Sequence, residues 1–281
     1  MHILSAKTRV AGVIGWPVAQ SRSPLLHNFW LVRHNIDGAY LAFPVEPGKV
    51  ETAIRGLAAA GLIGVNVTIP HKLEVVALCD EITDFARHVG AVNSLSFSHN
   101  KILGDNTDGF GFISNLRAHQ IDPSAGPALV LGAGGAARAV VASLQDAGVS
   151  VTVANRTRSR AEVLCREFDR AHVLDWNRVP ERLCEFSLMV NTTAAGMQGG
   201  AALNISLEGA SPQLSVADIV YVPRETSLIR DAAARGLRTA PGLGMLLHQG
   251  RRSFAGWFGI EPIVDQEVID YVAGDIPIKE C

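Results

Sequence analysis

Short apolar runs alternate along this chain with longer stretches whose apolar residues recur at helical spacing, and breakers separate them. Residues 9–15 (RVAGVIG) read as a first strand. LLHNFWLVRHN after Pro24 reads as a helix, and 39–45 as a second strand. Residues 50–60 form a helix closed by Gly61, and 62–69 (LIGVNVTI) a third strand stopped by Pro70. Residues 91–97 and 101–103 flank a turn at His99-Asn100, and a helix follows over about 110–119. Residues 121–127 are dense in breakers and mark a boundary.

Beyond that boundary the order becomes strand, glycine turn, helix. Leu129, Val130 and Leu131 are apolar in succession, as in a strand buried on both faces. Gly132, Gly134 and Gly135 follow at once, and 136–147 supplies strong helix formers. This is the setting of a dinucleotide-binding turn. The first glycine allows the tight turn, the second lets backbone approach a pyrophosphate, and Ala137 stands at the third small position. Further strands are expected at 149–154, 187–191 and 216–221. Helices are expected at 226–235, at 245–258 after Pro241-Gly242-Leu243-Gly244, and at 265–273, with a loop over 198–215.

Polar residues at strand ends add candidate chemistry. The place where an acid would grip a ribose 2′-hydroxyl holds Asn155, followed by Arg156, Thr157, Arg158 and Arg160. Guanidinium groups grip a 2′-phosphate that an acid would repel, so the pattern favours NADP over NAD. Thr157 is also placed to cap the next helix. Asn66 and Thr68 are spaced by two and share a strand face, where polar groups need partners. Lys72 lies just past that strand, and His71 beside it reads as structural. Asn93 puts an amide into the next strand. Ser23 before Pro24 reads as an N-cap; with Ser21 it also makes a site for a small anion such as a carboxylate. The cluster around Asp105, Asn106, Thr107 and Asp108 reads on its own as a loop and cap.

Composition narrows the class. The 281 residues are 48% hydrophobic, enough for one large or two ordinary domains, and 25 Lys+Arg stand against 27 Asp+Glu. No global basic field exists to attract nucleic acid or an anionic membrane. The four cysteines form no CxxC and the histidines no HExxH, so a metal site or disulfide framework is not expected and reduced thiols suit a cytoplasm. No secretory leader and no stretch of about 18 apolar residues appears. A small-molecule enzyme fits best, with a homodimer left open.

Taken together, SRSP at 21–24, NVTIPHK at 66–72, GAVNSL at 90–95, DNTDGFGF at 105–112, GAGGAARA at 132–139, NRTRSRA at 155–161, YVPRET at 221–226 and GLGMLLHQG at 242–250 resemble the shikimate dehydrogenase family. The resemblance spans nearly the whole chain, and NVTIPHK, NTDG and GLGMLLHQ are its specific parts. It implies an α/β enzyme of two domains with a cleft between them. Residues 1–106, joined by terminal helices in 243–281, would form the substrate domain, and 107–242 a Rossmann-type NADP-binding domain. The implied reaction is reversible, NADP-dependent reduction of 3-dehydroshikimate to shikimate in aromatic amino-acid biosynthesis. Lys72 and Asp108 would be the catalytic pair, since an opposing carboxylate orients an ammonium. Ser21 and Ser23 would hold the substrate carboxylate, and Asn66, Thr68, Asn93, Tyr221 and Gln249 ring hydroxyls or the carboxylate. Gly132, Ala133, Gly134, Gly135, Ala136, Asn155, Arg156, Thr157, Arg160, Thr192 and Gly242 would hold NADP, with Met245 near the nicotinamide.

The chain departs from the family pattern at four places. Trp16 stands where Asn is usual, Gln20 where His precedes the first serine, Val222 where Asn follows the tyrosine, and Gly250 where Ala follows the glutamine. Trp16 and Gln20 adjoin the expected carboxylate site, so a paralogue acting on quinate or a related cyclic polyol acid stays open. A silent NADP-binding regulator is the third reading, and the presence of both Lys72 and Asp108 speaks against it.

Overall fold

The computed structural model describes residues 4–278. They divide into two compact units: the chain up to Thr107 with Gln249–Val272, and Asp108–His248 with the stretch from Ala273 on.

The first unit is built on β1 (Arg9–Gly15), α1 (Ser23–Arg33), β2 (Gly38–Pro44), α2 (Val50–Ala59), β3 (Gly64–Val67), β4 (Glu81–Ile82), α3 (Asp84–Val89), β5 (Ser94–Ser98) and β6 (Lys101–Asp105). Its sheet has six strands in the order β2-β1-β3-β5-β6-β4. β1 pairs in parallel with both β2 and β3, whereas β5 is antiparallel to β3 and β6. Central β1 is buried from Ala11 to Gly15, as its apolar run requires. One sheet face packs Ile14, Val65, Val67 and Leu95 against Val50 and Ile54 of α2. Trp30 and Leu26 of α1 are fully buried, as are Tyr40 of β2 and Phe254.

In the second unit, α4 (Asp108–Ala118) leads into β7 (Ala128–Leu131), α5 (Gly135–Asp146), β8 (Val151–Ala154), α6 (Arg158–Arg166), β9 (Ala171–Leu174), α7 (Val179–Arg182), β10 (Leu188–Asn191), β11 (Ser215–Asp218), α8 (Ser227–Ala234) and β12 (Arg238–Ala240). The strands are all parallel in the order β12-β11-β10-β7-β8-β9. Strand order therefore reverses between β7 and β10, and in such sheets ligands bind outside the carboxyl ends of the strands at this point. All four residues of β7 are fully buried. Helix α9 (Leu243–Phe258) starts in this unit and its residues from Gln249 on count with the first; α10 (Gln266–Ala273) follows.

Within the first unit, the end of α9 is fastened by Trp257. Its indole donates to the carbonyl of Leu95 and to Ser96 Oγ, each at 3.1 Å. Gly64 is the residue that permits this approach: a Cβ there would lie 2.2 Å from Trp257 Nε1. A bidentate pair from Arg33 to Asp265, at 2.6 and 3.0 Å, ties α1 to the residue before α10.

Several elements differ from the sequence reading. The third strand is shorter than 62–69, so Thr68 lies one residue past its end. Asn93 precedes β5 instead of lying within it. β4, α3, β9, α7 and β12 were not expected. β4 and β12 are two and three residues long, too short to show a period, and α3 is recognisable by its caps: Thr83 Oγ1 accepts from Ala86 N at 3.2 Å, and Gly90 closes it at φ 67°. Ser23 is not the cap of α1. Arg22 occupies that position, Ser23 is already helical, and no side chain caps the helix. Thr157 does stand at the N-cap of α6, but its side chain makes no capping bond. Among the described residues no helix is long and apolar enough to cross a membrane, and no group of His, Cys, Asp and Glu could hold a metal ion.

Candidate functional site

The glycine turn lies at the reversal of strand order. Gly132 follows β7 with φ 111°, a conformation that L side chains rarely adopt. A Cβ there would also lie 2.6 Å from Thr192 Oγ1. Thr192 follows β10 and donates to the carbonyl of Leu131 at 2.7 Å, so the two strand ends are locked side by side. Gly134 is different. It is exposed, its φ of −96° is ordinary, and a Cβ on it would meet nothing within 4 Å. Packing does not demand this glycine, and the open space over it leaves room for close approach by a ligand.

Gly134 is also the N-cap of α5, and no side chain caps that helix. The first-turn N–H groups of Gly135, Ala136 and Ala137 thus have no capping acceptor, and the helix dipole adds positive potential at the same place. Together with Ala133 in the turn, these groups fit a pyrophosphate.

β8 lies beside β7, with Ala154 in register with Leu131, which brings Asn155 next to the turn. The Asn155 amide donates to the carbonyl of Thr157 at 2.9 Å. Among the arginines that follow, Arg158 is committed elsewhere: it pairs with Glu162 at 2.8 Å and with Asp175. Arg156 and Arg160 are exposed and are the guanidiniums left for a 2′-phosphate. Gly242 permits a close backbone approach, since a Cβ there would lie 2.5 Å from backbone atoms of Ile219 and Val220. Met245 is buried near the start of α9.

In the first unit, residues from distant parts of the chain meet in one hydrogen-bonded cluster. Asn66 Nδ2 donates to the carbonyl of Asn93 at 3.1 Å and to Ser253 Oγ at 3.0 Å. Its Oδ1 accepts from the Tyr40 phenol at 2.7 Å. Asn93 Nδ2 donates to Gln249 Oε1 at 2.9 Å and to Thr107 Oγ1 at 3.1 Å, while its Oδ1 accepts from Thr107 N at 2.7 Å. Asn93 is buried, and both its amide nitrogen and its amide oxygen find partners.

The serines adjoin this cluster through α1. Ser21 Oγ accepts from Ser23 N at 3.3 Å, which leaves the Ser21 hydroxyl proton to donate to an anion. Ser23 is buried and hydrogen-bonds the Tyr40 phenol; burial raises the Tyr40 pKa well above its ordinary value, with Ser23 opposing. Thr68 packs against Gly15, where a Cβ would lie 2.4 Å from Thr68 Cγ2.

Lys72 is half-buried past the end of β3, and its carbonyl accepts from Val92 N at 2.9 Å. His71 beside it is fully buried, with Nε2 2.7 Å from the Val45 carbonyl, in keeping with a structural role. Asp108 is buried and opens α4 in the second unit, next to Thr107. Tyr221 is half-buried beyond β11, also in the second unit. The structure thus gathers Ser23, Asn66, Asn93 and Gln249 within one unit, and it assigns Asp108 and Tyr221 to the other.

Tyr40, Thr107, Ser253 and Asp218 belong to these networks but were not singled out as functional from sequence. Tyr40 sits in an apolar strand and Ser253 in an amphipathic helix, so neither breaks a pattern. Asp218, at the end of β11, is the hub of the second unit's loops. It accepts from Asn191 Nδ2 at 2.9 Å, Val220 N at 3.0 Å and Thr226 Oγ1 at 2.7 Å. Burial nevertheless pushes its carboxyl up to about 7. A lone acid closing an apolar strand was the available signal.

A doubly wound, phosphate-receptive unit joined to a second α/β unit that carries a hydrogen-bonded cluster of amides with adjoining serines defines a pyridine-nucleotide oxidoreductase of a small polar substrate. Comparisons narrow this class. Residues 13–95 match the family model of the shikimate dehydrogenase substrate binding domain, and 117–225 that of shikimate / quinate 5-dehydrogenase. The NADP(+) shikimate dehydrogenase of Acidiphilium cryptum is 53% identical over 98% of this chain and 99% of its own length. The crystal structure of the Thermus thermophilus shikimate 5-dehydrogenase in complex with NADP(H) and shikimate is 36% identical, covers 95% of this chain and 98% of its own, and superposes with a TM-score of 0.86. A shikimate dehydrogenase in complex with NADP+ reaches a TM-score of 0.91 at 34% identity, covering 98% of each chain. The chain belongs to the shikimate dehydrogenase family.

Proposed function

We propose that this chain catalyses the reversible, NADP-dependent reduction of 3-dehydroshikimate to shikimate. Ser21 and Ser23 bind the substrate carboxylate. Asn66, Thr68, Asn93, Tyr221 and Gln249 bind ring hydroxyls or the carboxylate. Lys72 takes the proton of the reacting carbinol in the oxidative direction and returns it in the reductive one, and Asp108 orients Lys72 and binds the same hydroxyl. The glycine turn from Gly132 to Ala136 would hold the pyrophosphate of NADP, and Asn155, Arg156, Thr157 and Arg160 its 2′-phosphate, with Thr192, Gly242 and Met245 completing the site. When bound, NADP supplies or accepts the hydride. General acid–base assistance of the kind given to Lys72 contributes about 10²–10⁴-fold.

The observation that carries this reading is the convergence of Asn66, Asn93 and Gln249 in one network, drawn from three separated motifs of the sequence. Such a cluster of mutually hydrogen-bonded amides suits recognition of several hydroxyls on one small ring. Steady-state kcat/KM for shikimate and quinate, each with NADP and NAD, tests it. Shikimate with NADP is expected to give the highest value. A higher value for quinate would move the chain to the sister activity, and NADPH binding without reduction of 3-dehydroshikimate would make it a regulator. The same reading places the enzyme in the cytoplasm, supported by free thiols at Cys79, Cys165 and Cys184.

A further inference from the structure

We propose that Tyr40 and Ser253 are positioning residues that hold the Asn66 amide in the orientation set by the Asn93 carbonyl, making Asn66 an acceptor-only contact and leaving Gln249 to act as the donor. The inference rests on the function proposed above and adds two residues outside the family's motifs.

A side-chain amide has two donor protons and two acceptor lone pairs. Asn66 spends both protons inside the protein, one on the Asn93 carbonyl and one on Ser253 Oγ. The carbonyl cannot donate, so the nitrogen must face it and the amide cannot flip. Oδ1 then points to Tyr40, whose phenol donates to it. One lone pair on Oδ1 remains. Toward a ligand, Asn66 can only accept, and its partner must carry a proton: a hydroxyl fits, whereas an ether, a fluorine or a second acceptor oxygen does not.

Gln249 is set the other way. Its Oε1 already accepts from Asn93 Nδ2, so Nε2 is the end that carries donor protons for a ligand. The cluster thus offers a ring substrate one acceptor and one donor in fixed places. Tyr40 and Ser253 are buried and lie one step behind these contacts, and Tyr40 also hydrogen-bonds Ser23 of the proposed carboxylate site. A polar group that a site is built to pair discriminates strongly against an analogue that cannot pair it.

The test uses the full-length chain and shikimate analogues in which each ring hydroxyl in turn is replaced by fluorine, with Kd measured by calorimetry. In the unmodified protein one of these analogues binds much more weakly than shikimate. Ser253→Ala removes the acceptor of one Asn66 proton, so the amide that presents Oδ1 is held less firmly, and the preference for the hydroxyl at that position falls about fivefold, the scale of one neutral hydrogen bond. Ser253→Thr keeps the hydroxyl and retains the preference. Tyr40→Phe raises KM for shikimate about fivefold, leaves kcat within about twofold, and leaves KM for NADP unchanged. Unchanged preference in Ser253→Ala overturns the assignment, and so does an equal weakening for shikimate and analogue. Absence of shikimate turnover in the unmodified chain would overturn the proposed function instead, and the analogue affinities would still decide the polarity.

Discussion

On the assignments proposed above, the two units would recognise ligands by opposite means. In the first, Asn66, Asn93, Gln249 and Ser23 are side chains that hold one another before any ligand arrives. In the second, the receptive groups are backbone N–H groups at the uncapped start of α5 and two exposed arginines. A preorganised side-chain mesh reads the positions of hydroxyls, because moving one amide disturbs its neighbours. Backbone and guanidinium groups read charge and closeness, which any pyrophosphate and 2′-phosphate supply. On the proposed assignments the amides that read ring hydroxyls lie in the first unit and the groups that read NADP in the second.

The strongest way to break this division is at Lys72. Lys72→Ala is expected to lower kcat by at least about 100-fold while the Kd for NADP stays near its original value. Stopped-flow turnover and nucleotide titration measure the two separately. Near-normal turnover would remove Lys72 from the chemistry, and lost NADP affinity would show that the division of labour is false.

The units also differ in what pH does to them. His27 of the first is fully buried, stacked on Tyr40 at 4.1 Å, with both ring nitrogens unpaired, and burial lowers its pKa to about 3. Unfolding returns it to an ordinary value near 6.5, so the stability that depends on neutral His27 is lost as pH falls from about 6.5 toward 3. Asp218 of the second has its carboxyl raised to about 7. Its contribution is fully present below about 4 and is lost as pH rises through 7. Going from pH 7 to pH 5 should weaken the first unit and strengthen the second, each by about 2 kcal/mol. Hydrogen exchange resolved by segment and corrected for intrinsic rates measures this. Asp218→Asn should flatten only the second unit's slope, and parallel slopes in both units would refute the contrast.

Most of the architecture was legible because the second unit repeats strand and helix with few interruptions. β7, β8, β10 and β11 are short and apolar, and Gly132 announces its turn by residue type alone. The candidate site was legible where motif residues are also the contacting residues, as at Asn66, Asn93 and Gln249. It was not legible where the contact crosses the fold. Tyr40 and Asn66 lie in different strands, and Ser253 reaches Asn66 from a helix near the end of the chain. No local pattern encodes a phenol or hydroxyl whose partner is remote. The helix start at Ser23 was misplaced because Ser-Pro is an N-cap signal, whereas here Arg22 takes the cap and leaves both serines to other contacts. Arg158 shows the same limit in the second unit: its neighbours are indistinguishable from it in sequence, and only the fold shows Glu162 and Asp175 holding it.

That last distinction can be sharpened. Arg156→Ala combined with Arg160→Ala should cut the preference for NADP over NAD about tenfold, as expected for loss of exposed charge-assisted contacts, with shikimate KM unchanged. Arg158→Ala should change the preference less than about twofold. Ratios of kcat/KM for the two nucleotides provide the measure, and an effect of Arg158→Ala as large as that of the double variant would assign the 2′-phosphate to the wrong side chains.

The smallest expected effect separates two glycines of one turn. Gly134 has an ordinary φ and open space where a Cβ would go, so Gly134→Ala should fold as well as the original chain. If the space is there for a pyrophosphate, the added methyl should still weaken NADP about fivefold, the cost of displacing one backbone hydrogen bond. Gly132→Ala should behave in the reverse order. Its φ of 111° and the nearby Thr192 make the cost fall on folding, about 1–2 kcal/mol, before any ligand is added. Thermal melts with and without NADP distinguish the two. Should Gly134→Ala melt early without nucleotide, that glycine serves the fold; should it bind NADP normally, the open space above it is not where the phosphates lie.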